Sequence, residues 1–157
     1  MGNSKKIQAN YFSYDIKIKK FRYNDGRENR NELEFANQYQ LKNEYIEDDL
    51  KKTKSKFWRR NFFTYDDIEY LTYYLLKNKP FIAKYLAKRF PFVIIDECQD
   101  LSYVQLSILN GLHKYGTRIH LVGDLNQAIY SFRNIEPADT KSFINQNQFK
   151  EMRLIEN

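Results

Sequence analysis

The stretch that decides the fold runs from residue 92 to residue 97 and reads Phe-Val-Ile-Ile-Asp-Glu. Four consecutive apolar residues predict a short strand, and such a run is typical of a strand that is buried on both faces of a parallel sheet. The run stops at Asp96 and Glu97, so both carboxylates are expected at the carboxyl end of the strand. These residues predict an α/β fold with polar groups along one edge of the sheet.

A second strand is predicted one helix further along the chain. Apolar residues recur at helical spacing over residues 101–112, and Gly116 closes the helix. Residues 118–122 then predict a strand that ends before Asp124. Strand, helix and strand within about 30 residues form a right-handed parallel crossover. We therefore expect Asp96 and Asp124 at the same edge of the sheet.

Two helices are predicted before the first strand. Thr64 is a residue type that caps helices, and the acidic residues that follow it suit the positive end of a helix over residues 65–77. Residues 78–80 break this helix with a proline, and a second short helix is expected over residues 81–88.

The first 61 residues predict a mainly helical, basic segment. Alternating apolar residues predict one short strand over residues 14–18, a turn is expected at 24–26, and the polar stretch 31–50 suits an exposed helix. The next ten residues, 51–60, contain six Lys and Arg together with Phe and Trp. This basic run is either a solvated linker or a contact with the DNA backbone.

Composition excludes several classes of protein. The 157 residues are 42% hydrophobic and 29% charged, so a core can form, and no apolar run approaches the length of a membrane span. The one cysteine, Cys98, excludes an internal disulfide and a thiolate zinc site. The default expectation is a cytoplasmic protein with no membrane partner. The net charge of +6 arises within residues 1–60, which hold 15 Lys and Arg against 9 Asp and Glu. This excess attracts phosphate backbones or acidic surfaces.

The Asp-Glu pair after the first strand has two interpretations. A site for a magnesium–nucleotide complex needs one carboxylate that holds the water shell of the cation and a second that orients the attacking water. Asp96 and Glu97 satisfy this requirement. Alternatively, the two carboxylates only cap the helix that follows.

The surrounding sequence resembles a known family. Residues 92–100, Phe-Val-Ile-Ile-Asp-Glu-Cys-Gln-Asp, and residues 121–133, Leu-Val-Gly-Asp-Leu-Asn-Gln-Ala-Ile-Tyr-Ser-Phe-Arg, resemble motifs II and III of UvrD/Rep/PcrA-type superfamily 1 DNA helicases. Residues 63–68 resemble the Phe-x-Asp-Asp-Leu segment that precedes motif II, and residues 154–157 resemble the opening of motif IV. Motif III also looks like that of Gabija-type helicases of bacterial antiphage defence.

The resemblance implies a domain division and roles at a nucleotide site. Residues 62–157 would form part of a RecA-like helicase ATP-binding domain, with residues 1–61 as a basic accessory segment. Asp96 would be the magnesium ligand through water, and Glu97 would polarise the hydrolytic water. The remaining implied residues of this site are Gln127, which senses the terminal phosphate, and Asp124, which binds the cofactor.

Motif III also implies a contact with DNA. Tyr130, Phe132 and Arg133 match positions that face single-stranded DNA, where aromatic rings stack on bases. The alternative is that Tyr130 and Phe132 are core aromatics. Asn134 follows Arg133 where glycine is usual in the family, so the resemblance does not define the conformation of the turn at this position.

Parts of the family pattern are missing from these 157 residues. Only five glycines are present, and none belongs to a P-loop with Lys-Ser or Lys-Thr; motifs V and VI with their arginine finger are also missing. Mg²⁺ and ATP are therefore expected to bind only when the P-loop is supplied. The expected partners are single-stranded DNA, the remaining helicase domains or a separate P-loop-bearing chain, and a nuclease.

The sequence therefore predicts a fragment of an ATP-dependent 3′–5′ DNA helicase that is inactive alone. The alternative is a non-catalytic DNA- or protein-binding module, or a remnant derived from a helicase.

Overall fold

A computed structural model describes residues 8–24, 29–30, 46–124 and 135–152. Contacts divide the chain into two units, residues 1–75 and 76–157. The predicted domain boundary between residues 61 and 62 stays a prediction. No helix in the described part of the chain is both long and apolar enough to cross a membrane.

The first unit contains an antiparallel sheet of three strands. A 3-10 turn at Ala9–Tyr11 leads into β1 (Phe12–Asp15), which pairs with β2 (Lys20–Asn24), and β2 pairs with β3 (Asn29–Arg30). The prediction of one short strand in the first segment was therefore wrong, because its described residues contain three strands. The predicted turn at residues 24–26 and the predicted helix over residues 31–50 fall largely outside the described residues, which resume at residue 46.

The strand predicted over residues 14–18 ends earlier because of Asp15. Its carboxylate accepts hydrogen bonds from the backbone amides of Lys17 at 2.8 Å and Ile18 at 3.2 Å. A side chain that captures its neighbours' amides offers the backbone an alternative to the sheet ladder. Lys19 then takes a φ of 58°, and the chain reverses into β2.

Two helices follow in this unit, and the corner between them is fixed by local hydrogen bonds. Helix α1 (Ile46–Arg59) ends with Asn61 at a φ of 62°, while the Phe62 amide donates to the Phe57 carbonyl. This pattern is a Schellman motif, and the stacked rings of Phe57 and Phe62 supply its usual apolar contact. Helix α2 (Tyr65–Asn78) confirms the helix predicted over residues 65–77.

The second unit contains the predicted parallel strand pair. Its elements are α3 (Pro80–Arg89), β4 (Phe92–Ile95), a 3-10 turn (Cys98–Asp100), α4 (Tyr103–His113), β5 (Arg118–Leu121) and α5 (Pro137–Gln146). Strands β4 and β5 are parallel, with Phe92 opposite Arg118 and Ile95 opposite Leu121. The structure therefore confirms the parallel neighbours, and α5 is a helix that the sequence reading missed.

One face of the parallel pair packs on a core and the other face is exposed. Buried side chains from α4, β5 and α5 form a cluster against β4 and β5; its members are Leu106, Leu109, Ile119 and Phe143, with Val93, Ile95, Leu101, Leu121 and Phe149 around them. On the opposite face, Phe92 is 51% exposed and Ile94 is 63% exposed. The prediction of burial on both faces was wrong, because α4 and α5 both contribute to the cluster on one face.

Candidate functional site

The candidate site lies where β4 and β5 end at the same edge of the parallel sheet. Two backbone hydrogen bonds continue the pairing past the strands: the Val122 amide donates to the Ile95 carbonyl at 2.8 Å, and the Cys98 amide donates to the Val122 carbonyl at 3.0 Å. Asp96 and Glu97 follow β4, and Asp124 follows β5. The structure therefore confirms that Asp96 and Asp124 share an edge.

The carboxylate of Asp96 is exposed at this edge. Its Oδ1 accepts a hydrogen bond from the backbone amide of Glu97 at 3.0 Å, and no further bond to Asp96 exists within the described residues. Mg²⁺ prefers oxygen ligands and keeps several waters while it binds one or two carboxylates and substrate phosphates. An exposed carboxylate with a free oxygen at a strand end fits that chemistry.

Glu97 has an unusual backbone conformation. Its φ of 52° and ψ of 45° place it in the left-handed helical region, although it is not a glycine. This conformation costs roughly 1–2 kcal/mol for a residue with a Cβ, because the Cβ approaches the following carbonyl oxygen. Strained residues of this kind cluster at functional sites.

A buried glutamine joins the two strand ends, and the sequence pattern gave it no role. Gln99 is 4% exposed. Its Nε2 donates to Glu97 Oε2 at 2.5 Å, and its Oε1 accepts the backbone amide of Asp124 at 3.2 Å. No sequence signal identified this bridge, because Gln99 and the Asp124 amide are 25 residues apart in the sequence.

Gly123 leaves room for the Gln99 side chain to approach the backbone that follows β5. A Cβ at this position would lie 2.2 Å from Gln99 Oε1 and 2.9 Å from the Cys98 amide nitrogen. Cys98 is itself buried, and burial raises the pKa of its thiol. Cys98 is therefore a packed side chain at this strand end.

The alternative role of Asp96 and Glu97 as a helix cap is wrong. Helix α4 begins with Ser102 as its N-cap: the Ser102 hydroxyl accepts the Gln105 amide at 3.2 Å, and the Gln105 side chain accepts the Ser102 amide at 2.9 Å. This reciprocal pair is a capping box. The two carboxylates are therefore not needed to satisfy the start of the helix.

Several predicted residues lie outside the described residues. They are Gln127, Tyr130, Phe132 and Arg133 of motif III, together with the motif IV resemblance at residues 154–157. Their predicted roles stay predictions.

The basic run at residues 51–60 is not the linker that the sequence allowed. All but its last residue belong to α1, and Lys54 is buried in an ion pair with Asp67 at 2.7 Å. Lys51 pairs with Glu47 at 2.7 Å on the same helix. A buried and paired lysine within the run reduces the number of cations available to DNA.

Comparisons with known proteins agree with the motifs. The family model described as the UvrD/REP helicase N-terminal domain matches residues 2–148. The A-type subunit of an ATP-dependent helicase/nuclease of Natranaerobius thermophilus is 37% identical over 82 residues, which are 50% of this chain and 6% of the relative. A protein of the same description from Lactococcus lactis subsp. cremoris is 33% identical over 107 residues, covering 63% of this chain and 9% of the relative.

A third relative carries a different description. The "Exonuclease/helicase subunit RexA" of Streptococcus pneumoniae is 31% identical over 93 residues, which are 59% of this chain and 8% of the relative. The chain thus spans less than a tenth of the length of these three relatives.

Proposed function

The chain belongs to the UvrD/REP helicase N-terminal domain family, and from that premise we propose that it supplies the magnesium-holding and water-activating half of the ATP site of a 3′–5′ DNA helicase. The observation that carries the proposal is the shared edge of β4 and β5, where Asp96 and Glu97 follow β4 and Asp124 follows β5. Open parallel sheets bind their ligands at this edge. The RecA-like character of residues 62–157 is part of the proposal.

Each residue at the edge has a proposed role. Asp96 would hold Mg²⁺ through water, and Asp124 would line the nucleotide site. When bound, the cation neutralises the charge that develops on the phosphates. Glu97 accepts a proton from the attacking water, a task for a positioned carboxylate. Gln127 responds to the terminal phosphate.

The phosphates need a P-loop, which these 157 residues do not contain. We propose that the remaining helicase domains, or a separate chain, provide it. The relatives described as helicase/nuclease subunits suggest a nuclease as a further partner. A role in antiphage defence, which the Gabija-type resemblance implies, is a separate proposal about the pathway.

A segment exchange tests the assignment of roles. In a chimera, the matched 82-residue segment of the Natranaerobius thermophilus relative is replaced by the corresponding residues of this chain. We expect ATP hydrolysis that DNA stimulates. Glu97→Gln should lower the rate about 10²- to 10⁴-fold and preserve nucleotide binding, because the amide still hydrogen-bonds water but accepts no proton. Gln127→Ala should preserve binding and uncouple hydrolysis from DNA.

Two controls make the exchange decisive. The unmodified relative sets the reference rate, and the isolated 157-residue chain should show no hydrolysis above background, since no P-loop offsets the phosphate charge. A folded chimera without ATPase activity would contradict the proposal. Hydrolysis that survives Glu97→Gln at full rate would contradict the role of Glu97.

A second candidate function is a non-catalytic module that binds DNA. It is favoured by Lys56, Arg59 and Arg60, whose spacing of three and four residues places them on one side of the end of α1. These three residues are exposed. In this reading, DNA binding by the isolated chain requires no nucleotide.

Trp58 provides the measurement for this second function, because it is the one tryptophan of the chain and lies on α1. A fluorescence titration with a single-stranded oligonucleotide should weaken with salt. Replacing each of Lys56, Arg59 and Arg60 by Ala should lower the salt slope by about 0.7 for every phosphate that the variant no longer neutralises. Phe132→Ala should weaken binding by the loss of stacking. A chain that binds no single-stranded DNA at low salt excludes this function.

A further inference from the structure

We propose that Gln99 is a positioning residue that holds the Glu97 carboxylate in place and ties it to the turn at Gly123 and Asp124. The inference rests on the proposed role of Glu97 in hydrolysis. It assigns to Gln99 a function that neither the motif comparison nor the sequence pattern provided.

The first support is the contrast in burial between the two side chains. Glu97 is exposed, whereas Gln99 is 4% exposed and donates from Nε2 to Glu97 Oε2 at 2.5 Å. An exposed glutamate loses little side-chain freedom unless a fixed partner restrains it. Gln99 is such a partner, because its own amide is enclosed and held at its other end by the Asp124 amide.

The second support is that the bridge requires an amide. The Glu97 carboxylate can only accept a hydrogen bond, and the Asp124 backbone amide can only donate one. The side chain between them must therefore donate at one end and accept at the other. Glutamine meets this requirement. Glutamate offers two acceptors, leucine offers neither group, and asparagine is one methylene shorter.

The third support is the backbone around the bridge. Glu97 is in the left-handed region, and the Asp100 amide donates to its carbonyl at 2.9 Å, so the direction in which the side chain leaves the backbone is set. Gln99 restrains the far end of the same side chain. At the other strand, Gly123 has no Cβ, and a Cβ there would lie 2.2 Å from Gln99 Oε1. The backbone of Glu97 and the absence of a Cβ at Gly123 are therefore both suited to the bridge.

The position of the bridge has a consequence for coupling. Asp124 lies within residues 121–133, which carry the motif III resemblance, and directly precedes the part of that motif from residue 125 onward. Gln99 connects the proposed water-activating carboxylate to the start of that segment by two hydrogen bonds. Loss of the bridge should therefore reduce the stimulation of hydrolysis by DNA as well as the rate of hydrolysis itself.

The catalytic test uses the chimera defined above. Gln99→Leu and Gln99→Glu should each lower kcat by about 10- to 100-fold, since small displacements of a positioned group cost up to about 10²-fold. KM for ATP should stay within about threefold, because the bridge contacts the hydrolytic carboxylate and not the phosphates. Gln99→Glu is nearly isosteric, so it keeps the test valid if Gln99→Leu fails to fold.

Gln105→Leu is the matched control. Gln105 also uses its side chain to hold a backbone amide, that of Ser102, but it belongs to the capping box of α4 and not to the strand ends. We expect this variant to lose thermal stability while kcat stays within about twofold of the chimera. If Gln105→Leu lowers kcat as much as Gln99→Leu does, the effect is structural and the positioning role is overturned.

Hydrogen exchange of the 157-residue chain separates this inference from the proposed function. Gln99→Leu should accelerate exchange of the Asp124 amide about fivefold, the value of one net hydrogen bond. The Val122 amide, which donates to the Ile95 carbonyl at 2.8 Å, should be unchanged. Unchanged exchange at Asp124 overturns the bridge. An inactive chimera with accelerated exchange at Asp124 leaves the bridge intact and contradicts the proposed function instead.

Discussion

Two carboxylate sites in this chain differ in burial and pairing. In the first unit, Asp67 is 2% exposed, and its two oxygens accept Lys54 Nζ at 2.7 Å and 2.9 Å. The same carboxylate accepts the Thr64 amide at 3.0 Å and closes the start of α2. In the second unit, Asp96 and Glu97 are exposed where β4 ends.

The surroundings of the two sites explain why Asp67 is fully paired and why Asp96 and Glu97 are exposed. Lys54 Nζ lies 5.1 Å from the ring centre of Phe12 and 5.5 Å from that of Phe57, so the ion pair is enclosed by aromatic side chains. An enclosed pair loses its solvation and must be satisfied within the protein. Asp96 and Glu97 keep their solvation and have capacity for a ligand. We therefore propose that Asp67 is a structural carboxylate, whereas Asp96 and Glu97 are available for chemistry.

The largest expected effect comes from breaking the buried pair. Lys54→Met should destabilise the first unit by about 3–5 kcal/mol, because it leaves the Asp67 charge buried without a partner. Lys54→Met/Asp67→Asn should recover most of this loss, since asparagine can still accept the Thr64 amide. Urea unfolding monitored by Trp58 fluorescence measures both variants. Equal losses in the single and double variants would show that the buried charge is not the cause.

A smaller effect is expected at the edge where β4 and β5 end, where an added side chain would overlap Gln99. Gly123→Ala should destabilise the second unit by about 1–3 kcal/mol, because its Cβ would overlap Gln99 Oε1. The control is Gly111→Ala: nothing lies within 4 Å of a Cβ there, and alanine in a helix should gain about 0.5–1 kcal/mol. Hydrogen exchange of the α4 and β5 amides measures the stability change in both variants. A neutral Gly123→Ala would disprove the close approach.

Replacing Glu97 tests whether its strained backbone lowers the stability of the second unit. Glu97→Gly should leave the stability of the second unit unchanged or raise it by up to about 1 kcal/mol, because glycine adopts the left-handed conformation without strain. The loss of the hydrogen bond from Gln99, worth about 1 kcal/mol net, opposes the relief of strain. The same exchange measurement applies. A loss above about 1 kcal/mol would place Glu97 with Asp67 among the structural carboxylates.

Local sequence patterns predicted the elements of the second unit well. The apolar run at residues 92–95 and the strand at residues 118–121 were recognisable because each carries its signal within a few residues. Asp96 and Glu97 followed directly from the position of the first strand. Helix α5 was missed, although Pro137 at its first position and Thr140 and Phe143 three residues apart are weak helix signals.

Features that depend on distant partners were not predictable. Gln99 lies in the stretch that resembles motif II, but its role depends on the Asp124 amide, which the second strand brings into contact. Lys54 is one of six cations in a basic run, and only packing against Phe12 and Asp67 separates it from the others. The open face of β4 was missed because a continuous apolar run does not reveal how many helices cover the sheet.

The smallest expected effect is the pH dependence of the buried pair. Burial lowers the pKa of Lys54 below its ordinary value of 10.5, while the hydrogen bond and charge of Asp67 oppose the shift. Between the lowered pKa and 10.5 the unfolded chain binds more protons than the folded chain, so the contribution of Lys54 to the free energy of unfolding rises with pH. Burial also raises the pKa of Tyr70 on α2, which has the opposite effect as pH rises through 10. Subtracting the unfolding free energy of Lys54→Met/Asp67→Asn from that of the wild type removes the tyrosine contribution, since both proteins retain Tyr70. This difference in unfolding free energy should increase as pH approaches 10.5. A decrease would show that the attraction of Asp67 outweighs the burial of Lys54.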